Sequence, residues 1–104
     1  MIRWVTTPLP LLNALQIVEL IQRRRRQLVV HSYVYYVLSE NIVSDDTWQR
    51  WADELAHLQV IYPLPTGVYD DEFEGWTGAT GMHLPHDEFA INKARQLLQM
   101  RGER

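Results

Sequence analysis

The residues best suited to chemistry lie close together in the sequence: His31, Tyr33, Tyr35 and Tyr36 fall within six positions, shortly before an aspartate pair and a tryptophan. Aromatic rings beside an imidazole and carboxylates could stack on a small planar ligand and hydrogen-bond it. The same residue types also dominate the cores of small helical domains. On a helix, His31 and Tyr35 lie about 40° apart and face a different side from Tyr33. The cluster is therefore either a ligand site or core packing.

A run of four arginines, Arg23, Arg24, Arg25 and Arg26, is the main basic feature of a chain whose net charge is −3. Consecutive residues cover most of a helix circumference, so at least one arginine must lie near apolar surface or an acidic partner. We expect an ion-paired stretch, with the acidic residues 70–74 as its partners, and a phosphate contact is the alternative. Residues 39–90 are strongly acidic, which argues against general DNA binding.

Two further patterns predict no site. The glycine-rich stretch GWTGATG, residues 75–81, lacks the Gly-Lys-Ser/Thr ending and the preceding strand of a phosphate loop, and is interpreted as turns over Trp76. His83, His86 and Asp87 have no further ligand spaced with them, so we expect no metal site. No nucleophile can be matched with a base, so the sequence predicts no catalytic residue.

Local signals place these residues on helices. Apolar residues recur at intervals of three and four after Pro10 as far as Leu38, which is typical of a helix. Ser44 or Asp45 can cap a second helix with a similar apolar face, and Pro63 ends it. Asp87 can cap a third.

The sequence thus predicts an all-α fold, in which an antiparallel helical hairpin is joined by a third C-terminal helix and an irregular Gly/Pro-rich segment packs on the hairpin. Residues 1–104 are expected to form a single domain. The predicted elements are a long helix over 11–38, a second helix over 45–60, an irregular segment over 63–86 and a third helix over 87–101. Two alternatives stay open: a break of the first helix near the arginines, and a brief extended stretch at 66–69.

Composition indicates a cytoplasmic protein. The chain has no cysteine and needs no oxidising compartment. Asn13, Gln16 and Glu19 interrupt the apolar N-terminal stretch, so we expect neither a signal peptide nor a membrane span.

Residues 31–63 read HSYVYYVLSENIVSDDTWQRWADELAHLQVIYP. This stretch resembles the N-terminal Ia domain of bacterial NAD-dependent DNA ligases. The signature of that domain is a histidine, tyrosine–x–tyrosine–histidine, a short loop with isoleucine, an aspartate, and tyrosine–aspartate three positions later. In that family the domain grips the nicotinamide mononucleotide (NMN) half of NAD. The resemblance therefore implies a helical hairpin and makes NMN or NAD the cofactor to consider.

Matched position by position, the resemblance places the ring-stacking tyrosine on Tyr35 and the first aspartate on Asp45. Tyr36 stands at the histidine position, Trp48 at the second-helix tyrosine and Gln49 at the second aspartate. These five residues are the candidate cofactor-binding set, two retained and three exchanged. Loss of an imidazole and a carboxylate indicates a degenerate NMN site, although tryptophan keeps an aromatic face for stacking.

Adenylation in that family needs a lysine nucleophile in a K-x-D-G setting. The single lysine here, Lys93, is followed by ARQ, so we expect no enzyme. The chain is also similar to short, free-standing ligase-related proteins of phages and prophages, through GWTGATGMHLP and a final helix. The implied function is a non-catalytic binding or interaction module, with a protein partner or self-association. The alternatives are a nicotinamide-nucleotide binding domain and an accessory protein that contacts DNA or phosphate through the four arginines.

Overall fold

The computed structural model describes residues 13–102, which form three α-helices and no strand. The helices are α1 (Ala14–Tyr36), α2 (Asp45–Ile61) and α3 (Glu88–Gly102). The predicted all-α class is confirmed. Within this part of the chain, no helix is both long enough and apolar enough to cross a membrane.

Helix α1 is continuous through the arginines and is bounded by local signals. Asn13 and Gln16 form a capping box, in which each side chain accepts a hydrogen bond from the backbone N–H of the other. The predicted start at residue 11 lies outside the described residues. The helix ends two residues before the predicted position 38, because Val37 and Leu38 both donate to Tyr33 O and Ser39 turns left-handed at φ 56°.

Helices α2 and α3 also begin at caps. Ser44 Oγ accepts from Thr47 N at 3.1 Å, so Ser44 rather than Asp45 is the N-cap of α2. Asp87 Oδ1 accepts from Ala90 N at 2.9 Å, and α3 begins at the next residue, one later than predicted. The predicted end of α2 at residue 60 and that of α3 at residue 101 are each one residue short.

The core lies where α1 and α2 run antiparallel and the irregular segment closes over them. Trp48 contacts Ser32 near one end of the hairpin, and Gln59 contacts Arg25 toward the other. Helix α3 packs on α1, where Ala94 joins a smaller cluster. The side chains with no exposed surface in the main core are Ile21, Leu28, Val29, Ala52, Leu55, Leu58, Phe73 and Ala90.

Residues 62–87 form turns without a helix or strand and are packed on the hairpin as predicted. Phe73 is fully buried, and Trp76 Nε1 donates to Ala52 O at 3.0 Å. The extended alternative for residues 66–69 is wrong, since these residues turn and Tyr69 has φ 53°. Tyr69 Oη donates to Asp87 Oδ2 at 2.7 Å, which ties this segment to the start of α3.

Candidate functional site

A pocket with a volume of about 210 Å³ opens where α1 ends and α2 begins. We call it the aromatic pocket. It is lined by the last turn of α1, the 40–45 connection, the first turn of α2 and a single residue of the glycine-rich stretch. All five candidate cofactor-binding residues lie in its lining, together with a histidine and a second acid: Tyr35, Tyr36, Asp45, Trp48, Gln49, His31 and Glu40.

The two tyrosines meet edge to face in the last turn of α1. Their ring centroids are 4.8 Å apart with an interplanar angle of 85°. Tyr35 is 49% exposed and Tyr36 is 42% exposed, so neither ring is buried in the core. This arrangement leaves aromatic surface for a flat ligand, because a ring can stack on one face while the neighbouring edge supports it.

Trp48 and Gln49 form the α2 side of the aromatic pocket. Trp48 is half-buried, and its Nε1 donates to Ser32 Oγ at 3.3 Å, which fixes the indole against α1. Gln49 Nε2 donates to Gly78 O at 2.9 Å and to Asp53 Oδ1 at 3.0 Å. Trp48 and Gln49 therefore each hold a neighbouring element in place as well as lining the cavity.

His31 lies one helical turn before Tyr35 and also lines the pocket. Its Nδ1 is buried without a hydrogen-bond partner among the described residues, and its ring centroid lies 5.4 Å from that of Trp51. Burial lowers the pKa of His31 below its usual 6.5, which favours the neutral imidazole at pH 7. A neutral histidine adds a polar atom to the lining without adding positive charge.

The charge lining the aromatic pocket is negative. Asp45 and Glu40 contribute carboxylates, and none of the lining residues is a lysine or arginine. Arg101 lies nearby but is engaged, since it pairs with Glu40 at 2.9 Å and donates to Asn41 O at 2.6 Å. Aromatic faces next to carboxylates suit a flat cation, which is attracted by both the ring quadrupoles and the negative charge.

The arginine run is largely committed to ion pairs inside the molecule. Arg23 pairs with Glu19 on the surface at 2.7 Å, and Arg24 pairs with buried Glu54. Arg25 is only 5% exposed, and its main acidic partner is Asp70, at 2.8 Å. Arg26 is exposed. Ion pairing is confirmed for these three arginines, but the expected partners, residues 70–74, supply only Asp70 to Arg25. A phosphate contact through the run stays a prediction.

Arg25 is the centre of a larger set of contacts, which we call the Arg25 network. Its NH1 donates to Thr66 Oγ1, to Val68 O and to Asp70 Oδ1, at 2.8 to 3.0 Å. Its Nε and NH2 both donate to Gln59 Oε1, and the guanidinium lies 5.7 Å from the ring centroid of Phe73. The network joins α1, α2 and the irregular segment, so its role in this structure is architectural.

Several lining residues lie outside the candidate set of five. His31 belongs to the aromatic cluster, and its i, i+4 spacing to Tyr35 was the available signal for including it. Glu40 and Asn41 sit in the connection between two predicted site helices, so adjacency could have found them. Ala79 lies 30 positions beyond Gln49 along the chain and carries no local signal.

Comparison with known proteins relates part of the chain to one group. It is 31% identical to a DNA ligase of Thermotoga maritima over 48 residues, which are 46% of this chain and 7% of that ligase. It is 40% identical to a DNA ligase of Pseudothermotoga lettingae over 43 residues, or 41% of this chain and 6% of that ligase. No family model matches, and no solved structure matches. A stretch of the chain is therefore related to a small part of DNA ligases.

Proposed function

We propose that this chain is a DNA ligase-related, non-catalytic binding module whose aromatic pocket takes a flat, positively charged ring of the nicotinamide-nucleotide class. The observation that carries this proposal is the placement of all five candidate residues around one cavity. Three of them differ from the ligase pattern, yet they line an open pocket.

The pocket's chemistry favours the oxidised nicotinamide ring. That ring carries a positive charge, which complements the Asp45 carboxylate and the faces of Tyr35 and Trp48. A neutral His31 adds no repulsion at pH 7. Nothing basic lines the cavity to receive a phosphate, so the ring and ribose supply most of the binding energy and the phosphate lies toward solvent.

The pocket's size favours the mononucleotide over the dinucleotide. Its volume is about 210 Å³, whereas sites for drug-sized ligands span about 300–1,000 Å³. We therefore expect NMN to bind at least as tightly as NAD, whose adenylate half would find no enclosed surface.

The absence of catalysis is part of the proposal and rests on the lysine. Lys93 is exposed on α3, where its Nζ donates to Gln96 Oε1 at 3.2 Å. The aromatic pocket is built from α1, α2 and the segments beside them, and Lys93 is not among its lining residues. A ligase-type adenylation at this pocket would have no lysine to carry the nucleotide.

Calorimetric titration with NMN tests the proposal, with reduced NMN as the uncharged-ring probe. We expect NMN to bind and reduced NMN to bind about tenfold more weakly, because it lacks the ring charge. Asp45→Asn and Tyr35→Leu should each weaken NMN binding by a similar factor. Asp71→Asn, an exposed acid outside the aromatic pocket, is the matched control and should leave it unchanged. No heat and no thermal shift at millimolar NMN would refute the proposal.

A protein contact is the second candidate function, and the exposed apolar residues favour it. Leu15 near the start of α1 is 80% exposed, while Val60 and Leu64 at the end of α2 and just beyond it are 78% and 59% exposed. The antiparallel hairpin brings these positions toward the same end of the molecule. Light scattering tests self-association: a dimer that Val60→Asp dissociates would support it, and a monomer at high concentration would count against it.

A further inference from the structure

The three exchanged residues of the aromatic pocket all contact one stretch of the irregular segment. Tyr36 Oη lies 3.3 Å from Thr80 Oγ1, within hydrogen-bond distance, and Gln49 Nε2 donates to Gly78 O at 2.9 Å. Trp48 packs edge to face against Trp76, with ring centroids 6.4 Å apart. We call residues 77–81 the 77–81 loop. The bonds from Tyr36 and Gln49 hold it across the gap between α1 and α2, and the Trp48 contact holds the residue just before it.

Buried anchors hold the loop at both ends. Before it, Trp76 is 9% exposed and bonded to Ala52 O. At its end, Gly81 lies so close to the hairpin that an added Cβ would overlap Ser32 Oγ and come within 3.0 Å of Trp48 Cζ2. Leu84, just beyond, is 3% exposed. The loop therefore bridges two fixed points on the hairpin.

Between those anchors Gly78 is buried against Ala52 and Asp53 of α2, whereas the two residues after it are held more lightly. Ala79 and Thr80 are exposed, and Ala79 completes the lining of the aromatic pocket. The side-chain bonds that hold this part to the helices are those of Tyr36 and Gln49, both neutral and both made by exposed residues. Neutral hydrogen bonds of this kind contribute less to stability than bonds to charged groups. The middle of the loop is thus a wall that can be released without unfolding the core.

We propose that Gln49 and Tyr36 are positioning and specificity-determining residues, which seat the 77–81 loop as the wall that limits the aromatic pocket to a mononucleotide-sized ligand. The inference rests on the proposed function for its ligand class. Releasing the wall enlarges the cavity beside Ala79, so a dinucleotide such as NAD gains surface to contact. NMN, already enclosed, loses contact with the wall.

The test uses Gln49→Glu, which keeps the side-chain size but points an acceptor at Gly78 O and Asp53 Oδ1, both of which are acceptors. Tyr36→Phe removes the other bond and keeps the ring. The matched control is Gln22→Glu, because Gln22 Nε2 donates to Thr66 O at 2.7 Å, a bond of the same type to the far end of the irregular segment. Hydrogen exchange reports loop seating, and calorimetry with NMN and NAD reports selectivity.

We expect the double variant Tyr36→Phe/Gln49→Glu to exchange amide hydrogens of residues 77–81 at least tenfold faster than wild type, with Leu55 and its neighbours unchanged. The ratio of NAD to NMN affinity should rise about tenfold, the factor that corresponds to the loss of about 1.4 kcal/mol. Gln22→Glu should change neither quantity.

Unchanged exchange at residues 77–81 in the double variant would overturn the seating role. Faster exchange with an unchanged NAD to NMN ratio would overturn the specificity role while leaving the proposed function standing. A wild-type protein that binds neither nucleotide would instead refute the proposed function. In that event, binding of either nucleotide gained by the double variant would support the wall as a barrier, and no gain would reject it.

Discussion

The two ends of the α1–α2 hairpin are built on different chemistry. Toward the start of α1, the Arg25 network joins the helices to the irregular segment through a buried guanidinium with carboxylate, amide, hydroxyl and carbonyl partners. At the other end, the 77–81 loop is joined to the helices by neutral side-chain bonds from Tyr36 and Gln49. The cavity at the first end, about 490 Å³, is lined by Arg25 and its partners Gln59 and Asp70, whereas the second end encloses the aromatic pocket.

The Arg25 end is the more rigid of the two. A buried charge is stable only if its hydrogen-bonding capacity is met, and Arg25 meets that condition with several partners at once. The aromatic pocket leaves His31 Nδ1 without a partner among residues 13–102 and leaves aromatic rings half-exposed. Polar groups left incomplete around a cavity are typical of a binding surface rather than of a structural core.

Disruption of the Arg25 network should lower the free energy of unfolding more than any other change considered. Arg25→Met removes the guanidinium bonds to Asp70, Gln59 and Val68 O, so we expect the free energy of unfolding to fall by about 3 kcal/mol in urea denaturation. Arg23→Met, which breaks only the exposed pair with Glu19, is the control and should change it by less than about 0.5 kcal/mol. Equal losses in the two variants would erase the contrast between the ends.

The next largest effect is steric and lies at the pocket end. Gly81→Ala inserts a methyl group against Ser32 and Trp48, and overpacking of this kind costs about 1–3 kcal/mol. We expect thermal unfolding to reveal a loss near the middle of that range, with altered fluorescence from Trp48. Gly75→Ala meets no neighbour and bears only the strain of its φ of 71°, so it should cost less. A Gly81→Ala protein as stable as wild type would show that the loop does not approach this closely.

A smaller effect belongs to the helix that carries Trp48 and Gln49. Ser44→Ala removes the acceptor for Thr47 N, which should cost about 1 kcal/mol of stability. Because the cap lies beside the aromatic pocket, NMN binding should weaken together with stability. Ser44→Asp restores an acceptor and should recover both. Failure of Ser44→Asp to recover stability would assign the loss to something other than capping.

The dependence of stability on pH should separate the two ends without any change of fold. The pKa of His31 lies below 6.5 in the folded state, so the unfolded chain takes up that proton first and stability falls as pH drops through 6.5. The backbone bond from Thr66, followed by the contact with Arg25, lowers the pKa of Asp70. The stabilisation that the Asp70 carboxylate gives to the folded state is complete above pH 3.8. It is lost as pH falls through the lower pKa that this carboxyl has in the folded state.

Urea denaturation between pH 8 and pH 3 measures both windows. His31→Gln should flatten the slope just below pH 6.5 and leave the acid window unchanged. Asp70→Asn should flatten the slope in the acid window and leave the slope just below pH 6.5 unchanged. A slope near pH 6 that is unaffected by His31→Gln would assign that titration to another histidine.

The fold was predictable from local signals because the start of each helix and its buried face depend on residues close together in the sequence. Asn13, Ser44 and Asp87 each cap a helix from within one turn, and the 3.6-residue period marks the buried face of α2 at Ala52, Leu55 and Leu58. The left-handed turn at Ser39 could not be predicted from composition, because serine rarely takes a left-handed backbone. The hydrogen bonds of helix α1 end at this turn.

The candidate site was predictable to the extent that it is contiguous. Tyr35 to Gln49 lie on the last turn of one helix, a short connection and the first turn of the next, so a hairpin alone brings them together. The 77–81 loop and the Arg25 network depend on contacts between residues 29 to 45 positions apart. Such contacts form only when distant segments pack together, and no local pattern around Ala79 or Asp70 specifies them.

The bond between Tyr69 and Asp87 gives the protein a spectroscopic marker of its own. Burial, with the hydrogen bond and negative charge of Asp87 next in importance, raises the pKa of Tyr69 far above the usual 10.0. Because Asp87 also caps α3, the raised pKa of Tyr69 depends on that helix remaining docked. In an alkaline titration followed by ultraviolet absorbance, Tyr69 should ionise only well above pH 10. Its ionisation would then report the release of α3.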